Sequence, residues 1–236
     1  LDDLAKFLKA YGNSNCEDFK IILLGTSSDP SKLVQKDPGI DRLIEDLHLK
    51  SMTEPERKAL IESGMNDLDI GITDVAFNKL TSICVGSPNI LQYLCLEASE
   101  AAFYRDDKIV NVDDVDDAVE NYVEKKESRL YRTYMKAVEN TGAKRYRKQI
   151  LRAMSEIDDE YVTMEQIRTL VQGYLQVDVR ATDLSGSLRR LKEQEYGPVL
   201  QDVEKNDGSG TIQNYTTFID PALKAFIRMQ ILRDKD

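Results

Sequence analysis

A Gly-Ser-Pro sequence at residues 86–88 constrains this chain more than any other stretch. Gly86 suits the left-handed position that follows a helix C-terminus, Ser87 is a good N-cap, and Pro88 fits the first position of a helix. Apolar residues then recur every three or four positions as far as Ala102, which predicts a packed helix. The sequence therefore predicts two helices that meet at residue 86 with almost no loop. This corner is either an ordinary helix–helix turn or a place where free N–H groups face an anion.

A second constraint is the short apolar run Phe19–Gly25, which is rich in branched residues and bounded by turn formers. It predicts a strand that is buried on both faces. Thr26, Ser27 and Ser28 follow at its carboxyl end, where open α/β sheets bind ligands. One strand does not make a sheet, and the only further candidate is the stretch 45–50. We therefore expect residues outside this sequence to complete the sheet.

After Leu49 the pattern is helical for nearly a hundred residues. Thr53 and Glu56 form a capping box, and Thr73 or Asp74 begins another helix. The acidic stretch 111–117 begins a long helix that extends to about Asn140; its clustered acids serve the helix dipole better than a metal. Beyond Lys125 the apolar pattern thins, which indicates a spacer.

The last third predicts three helices, a two-stranded hairpin and a closing helix, at residues 146–157, 163–173, 183–194, 198–219 and 221–232. This is the plan of a winged helix, a variant of helix-turn-helix. The third helix carries Arg189, Arg190 and Lys192, and Arg180 precedes it. These four cations are the candidate DNA contacts. Acidic residues on the same helix and on the hairpin oppose that role, and they favour a protein partner.

Charge divides the chain unevenly within a formal net charge of −10. Residues 1–143 carry 17 basic and 27 acidic side chains, whereas residues 144–236 carry 15 of each. Only the second part is therefore expected to approach nucleic acid. Three irregularly spaced cysteines and one histidine make neither a disulfide framework nor a zinc site, and no metal site is expected. No apolar run approaches membrane-spanning length, so we expect a cytoplasmic protein without a membrane partner.

The order of these features resembles the C-terminal half of an AAA+ or STAND-type P-loop ATPase, most closely the initiator-like group of prokaryotic ATPases. The resemblance covers nearly the whole chain. It implies a mostly α chain in which residues 1–49 are a C-terminal remnant of an α/β P-loop core. Residues 50–125 are then a helical lid, residues 126–143 a helical spacer, and residues 144–236 a winged-helix domain.

The same resemblance implies functional residues. Thr26, Ser27 or Ser28 takes the place of sensor 1, near the γ-phosphate. Arg42 takes the place of an arginine finger acting on a neighbouring subunit; the alternative is a surface arginine paired with Asp41 or Glu45. Gly86, Pro88 and Asn89 form the nucleotide-binding corner of the lid. AAA+ enzymes usually carry Arg after that proline, so Asn89 favours the STAND branch, in which the corner contacts the adenine side.

Two ATPase motifs are absent from the sequence. No Gly-x-x-x-x-Gly-Lys-[Ser/Thr] run exists, and no apolar strand ends in paired acids. We therefore expect ATP and Mg to bind only through an upstream half, and this chain alone to be inactive. The expected partners are that half or a neighbouring subunit, and a protein bound by the winged helix. The alternative function is a non-catalytic winged-helix regulator that binds DNA.

Overall fold

A computed structural model describes residues 2–14, 20–23, 42–43, 45, 47, 49–126, 128–139, 146–206 and 212–233. Across these residues the chain is mostly helical, as the sequence predicts, with two small two-stranded sheets. The α-helices are α1 Asp2–Gly12, α2 Glu54–Asp67, α3 Asp74–Ile83, α4 Pro88–Tyr104, α5 Val112–Asn121, α6 Ser128–Val138, α7 Arg147–Glu156, α8 Met164–Leu175, α9 Ala181–Arg190 and α10 Pro221–Arg233. The strands are β1 Gly71–Ile72, β2 Ile109–Val110, β3 Leu200–Asn206 and β4 Ile212–Phe218.

The chain divides into two compact units, residues 1–50 and residues 51–236. Helix α1 belongs to the first unit and buries Ala5 and Leu8. Thr26, Ser27 and Ser28, the predicted sensor 1 residues, lie outside the described residues. The predicted boundary between a spacer and a winged-helix domain, at residues 143 and 144, falls inside the second unit.

The predicted buried strand at Phe19–Gly25 is not formed where the structure describes it. Residues 20–23 have no regular secondary structure, and Ile22 is 83% exposed. A strand needs neighbours that pair with its backbone and cover both of its faces. Within the described part of the first unit no strand is present to do either.

The second unit begins with a helical bundle formed by α2 to α5. The N-caps are those that the sequence predicts: the Thr53 backbone N–H donates to Glu56 at 2.7 Å, and Thr73 Oγ1 accepts from the Ala76 N–H at 3.4 Å. Strands β1 and β2 pair in parallel and hold the loops before α3 and α5 together. The apolar faces of the four helices meet in one core that includes Leu80, Leu94 and Val119.

The predicted long helix from residue 111 to about residue 140 is interrupted. A π-helix at Tyr122–Lys126 separates α5 from α6. The wider turn of a π-helix rotates the helix face that follows it. Consequently Leu130, Tyr134 and Ala137 of α6 are buried, and the Tyr134 ring packs against Phe226 of α10 with 6.3 Å between ring centroids.

Helices α7, α8 and α9 precede an antiparallel hairpin in which Leu200 pairs with Phe218 and Asn206 with Ile212. An isolated bridge between Val162 and Thr216 pairs one further residue with the edge of the hairpin. The order of three helices, hairpin and closing helix α10 is the one that the sequence predicts. None of the described helices combines the length and apolar character needed to cross a membrane.

Candidate functional site

The Gly86 corner is a tight reversal between α3 and α4. Helix α3 ends at Ile83, and Cys84 is its C-cap. The two residues that follow, Val85 and Gly86, have φ values of +50° and +74°. The Ser87 N–H donates to the Cys84 carbonyl at 2.9 Å, which closes the turn. Pro88 is the first residue of α4. The predicted corner is therefore present, and it uses two left-handed residues rather than one.

Gly86 is required at its position for two reasons. Its φ lies in the region that residues with a Cβ rarely adopt. A Cβ added there would also lie 2.9 Å from the Met52 carbonyl oxygen and 2.9 Å from the Ser51 Cβ. The Gly86 carbonyl accepts from the Met52 N–H at 2.9 Å. The corner thus holds the segment 51–53, with which the second unit begins.

The N-terminus of α4 is open to solvent. Ser87 has the extended conformation of an N-cap, but its side chain makes no capping hydrogen bond. Pro88 and Asn89 are exposed. The first-turn N–H groups of α4 therefore lie beside an accessible surface, at the positive end of a 17-residue helix.

A polar cavity of about 660 Å³ adjoins this corner. It lies between the start of the second unit, the end of α3 and the loop that follows α7. Its lining includes Ser51, Met52, Thr53, Glu54, Arg57, Thr81, Ser82, Val85, Glu156, Asp158 and Arg228. Two guanidinium groups and three carboxyl groups face one another there, so the charges nearly balance. A balanced cavity is suited to joining elements rather than to concentrating an anion.

Arg228 is the residue that joins these elements. From α10 its guanidinium donates to the Ser82 carbonyl in the last turn of α3, at 2.6 Å. It also donates to the Ser155 carbonyl and, at 3.3 Å, to the Glu156 carbonyl in the last turn of α7. The last carbonyls of a helix have no partner within that helix, and a cation there also meets the negative end of the dipole. Arg228 therefore caps two helices at once.

The charges around Arg228 shift the ionisation of their neighbours. Asp158 accepts from Arg228 at 2.9 Å, and this hydrogen bond lowers the pKa of the Asp158 carboxyl. Lys224, one turn before Arg228, donates to the carbonyls of Asp158 and Asp159 at 3.1 and 2.9 Å. Burial, and then repulsion by Arg228, lower the pKa of Lys224 to about 8.

Arg57 is the second guanidinium of the cavity. It donates to the Met52 carbonyl at 3.3 Å, so it holds the same segment that Gly86 holds. Its Nε is buried without a hydrogen-bond partner. Neither Arg57 nor Arg228 was expected from the sequence to have a role. The available signal was the pair Lys224 and Arg228, four residues apart in a helix rich in apolar residues, since cations that are buried in such a helix need partners.

The structure places the other predicted residues as follows. Arg42 lies in the first unit and donates to the Asn13 side chain at 3.1 Å. The Gly86 corner lies in the second unit.

The four candidate DNA contacts lie near α9, and most of them have acidic partners. Arg180 pairs with Asp183 at 3.3 Å, Arg189 with Glu193 at 3.4 Å, and Lys192 with Asp202. The Arg190 guanidinium lies 5.9 Å from the centroid of the Tyr196 ring. Three of the four charges are therefore already compensated within the chain.

Comparison with known proteins leaves the family of this chain open. No protein-family model matches the sequence, and no curated protein matches it. Across the described residues, no group of three or more His, Cys, Asp or Glu side chains is arranged to hold a metal ion.

Proposed function

We propose that this chain is the lid and winged-helix portion of a nucleotide-dependent AAA+ or STAND ATPase, a switch or motor that couples nucleotide state to partner binding. The observation that carries this proposal is the Gly86 corner. It presents the open N-terminus of α4 on one side, and its backbone holds the start of the second unit on the other. A ligand at Pro88 and Asn89 would therefore act on the segment that links the two units along the chain.

The residues that line the cavity would carry a change at the Gly86 corner to helices α7 and α10. The segment 51–53 is bound by Gly86 and by Arg57. Across the same cavity, Arg228 binds the end of α3 and the end of α7. A displacement at the corner would therefore reach α7 and α10 through hydrogen bonds rather than through apolar packing alone. A contiguous hydrogen-bond network of this kind is one of the physical routes by which coupling between sites is carried.

The nucleotide itself needs residues that this sequence lacks. With no phosphate-cradling loop and no magnesium-binding acids after a strand, the chain's own residues do not fit a complete ATP–Mg site. ATP and Mg would be held by an upstream ATPase half, which supplies the phosphoryl chemistry. The roles left to this chain are contact with the nucleotide at Gly86, Pro88 and Asn89, sensing at Thr26, Ser27 or Ser28, and an arginine finger at Arg42.

The segment 147–218 supports a winged helix as the output domain. It contains three helices and a hairpin in winged-helix order, with an isolated bridge from Val162 to the hairpin. We assign it a protein partner rather than DNA because three of its four candidate cations are paired with acids. Duplex binding depends on several Lys or Arg side chains whose charges are free to neutralise phosphates. This pairing is the reason for placing the DNA-binding regulator second.

The nucleotide role is tested at Asn89, which is exposed, so its replacement should leave folding intact. In the protein expressed together with its upstream coding sequence, Asn89→Ala should weaken nucleotide binding, measured by calorimetric titration. Asn78→Ala, which changes another exposed asparagine on α3, is the matched control and should have no effect. An upstream reading frame without a phosphate-binding loop would refute the proposal. So would micromolar binding of ATP–Mg by the present chain alone.

The output role is tested by a salt titration of duplex DNA binding. We expect weak binding that changes little in the double variant Arg189→Ala, Arg190→Ala. Tight binding whose salt dependence falls in that variant would favour the DNA-binding regulator instead.

A further inference from the structure

A second surface of the bundle, on the groove between α2 and α4, has no role in the nucleotide proposal. The groove has a volume of about 410 Å³ and is lined by Leu60, Ser63, Gly64, Met65, Asp67, Leu68, Gln92, Cys95, Leu96 and Ser99. Leu68 and Leu96 are 50% and 51% exposed, and Phe103, two turns beyond Leu96 on α4, is 71% exposed. Gly64 leaves the lip of the groove open, since nothing lies within 4 Å of the position its Cβ would take.

The shape of the groove fits a helix. Its walls are two helices, and on each helix the lining residues are spaced three or four residues apart over about two turns. Among the described residues of α2 and α4 no strand edge is available for an extended peptide to pair with. An amphipathic helix that inserts apolar side chains spaced three, four and seven residues apart is the recognition mode that such a groove serves.

The negative charge of the bundle favours an amphipathic helix that carries basic residues. Residues 51–121 carry 15 acidic and 5 basic side chains, a formal net charge of −10. Four of these five cations are paired with carboxylates of the bundle: Lys58 with Glu62, Lys79 with Asp116, Arg105 with Asp114, and Lys108 with Asp69. The fifth, Arg57, binds the Met52 carbonyl. The excess acids therefore give this surface a negative potential that no cation of the bundle cancels.

One of these acids, Asp67, lines the groove. A second, Glu100, follows the lining residues Leu96 and Ser99 on α4 and is exposed. We propose that the groove binds an amphipathic helix of a partner protein whose apolar face is flanked by Lys and Arg. The apolar face supplies the binding energy, and the basic flanks set the orientation and speed of association. This inference does not rest on the proposed ATPase function.

The experiment uses the full chain and a synthetic peptide of about 15 residues, the length at which an isolated helix becomes measurable. In the peptide, successive Leu residues are spaced three or four positions apart, and Lys and Ala occupy the other positions. Fluorescence anisotropy should show saturable binding. One control peptide carries Gln in place of every Leu, and another carries Glu in place of every Lys; both should bind at least about tenfold more weakly.

Variants locate the binding surface. Leu96→Glu should weaken binding by about tenfold or more, because it places a charge in the apolar groove. Ser63→Arg should do the same from α2 through repulsion of the lysines and obstruction of the groove. Val75→Glu, which changes charge equally at a residue that is 64% exposed on α3, should leave the affinity unchanged. Thermal unfolding of each variant establishes that it is folded.

Three results would overturn the proposal. The first is equal binding of the peptide without leucines, which would show attraction by charge alone. The second is unchanged binding by both Leu96→Glu and Ser63→Arg. The third is self-association of the free chain, measured by sedimentation, that Leu96→Glu abolishes, which would assign the groove to a second copy of this protein.

Discussion

At the scale of single residues, two independent causes require glycine at position 86. Its positive φ excludes most side chains, and its close approach to Met52 excludes even a methyl group. The two causes differ in kind, because the first is an intrinsic conformational preference and the second is a contact across the fold. Only the first can be inferred from a Gly-Ser-Pro sequence.

We expect Gly86→Ala to lower the free energy of unfolding by about 2–4 kcal/mol, from backbone strain and the contact with the Met52 oxygen. Urea denaturation measures this change. Gly64→Ala is the matched control. It lies inside helix α2 with open space around it, so it should raise stability by about 0.5–1 kcal/mol. Similar effects at the two glycines would show that the corner is not constrained as described.

Lys224 predicts a pH dependence at the same scale. Its folded-state pKa of about 8 lies below the ordinary value, so above pH 8 the unfolded chain binds more protons at this residue than the folded chain does. The penalty for burying the ammonium is therefore complete below pH 8 and is relieved as the pH rises towards the unfolded value. Relative to Lys224→Met, the wild-type protein should gain about 2 kcal/mol of stability between pH 7 and pH 10.

Urea unfolding of both proteins at each pH provides the measurement. The comparison with the variant cancels the ionisation of the tyrosines elsewhere in the chain. The charged groups around Lys224 are Arg228, Asp158, Asp159 and Glu160. A stability difference that stays constant with pH would mean that Lys224 has an ordinary pKa in the folded protein.

At the scale of elements, helix α6 departs most from the sequence-based expectation. A thin apolar pattern with several charges predicts a spacer. The structure instead buries Leu130, Tyr134 and Ala137, packs Tyr134 against Phe226 of α10, and links Arg129 to Asp220 at 2.8 Å. A narrow apolar stripe is enough for a helix to pack when most of its partner helix is buried, as α10 is.

Leu130→Ala tests this packing. Because Leu130 is 1% exposed, its truncation should cost about 2–5 kcal/mol of stability. The neighbouring Tyr131 is 43% exposed, and Tyr131→Ala should change stability by no more than about 0.5 kcal/mol. In a solvated spacer both changes would be nearly neutral.

At the scale of the whole molecule, residues 51–236 form one compact unit with one contiguous apolar cluster. That cluster includes residues of the bundle, of α6 and of the C-terminal segment. A lid and a winged helix connected by a free spacer would instead have two separate cores. Arg228 adds a polar link between the same parts, so the second unit is joined by two kinds of interaction.

Two fragments test this organisation. Residues 51–236 alone should unfold in a single cooperative transition, because the unit keeps its core. Residues 144–236 alone should be markedly less stable, because the loss of α6 uncovers Phe226 and the apolar face of α10. Circular dichroism during thermal unfolding distinguishes the two. A fragment 144–236 as stable as the longer one would restore the predicted boundary at residue 144.

Most of the helices, their caps and the order of the C-terminal elements could be predicted from the sequence, whereas the break at Tyr122–Lys126 could not. Thr53, Thr73 and the Gly-Ser-Pro corner act within a few residues of chain, so their consequences are local and can be inferred without the fold. The sequence did not reveal that the described part of the Phe19–Gly25 run lacks strand structure, since a strand depends on neighbours from elsewhere.

Tertiary structure alone decided what the Gly86 corner touches. Ser51 and Met52 are 34 or more residues away from Gly86 along the chain, and Arg228 reaches Ser82 across 146 residues. No periodicity or spacing encodes such contacts, because they depend on how complete helices pack together. The left-handed turn at Gly86 could be predicted from the sequence. Its place beside a charged cavity that joins α3, α7 and α10 was decided only by the packing of those helices.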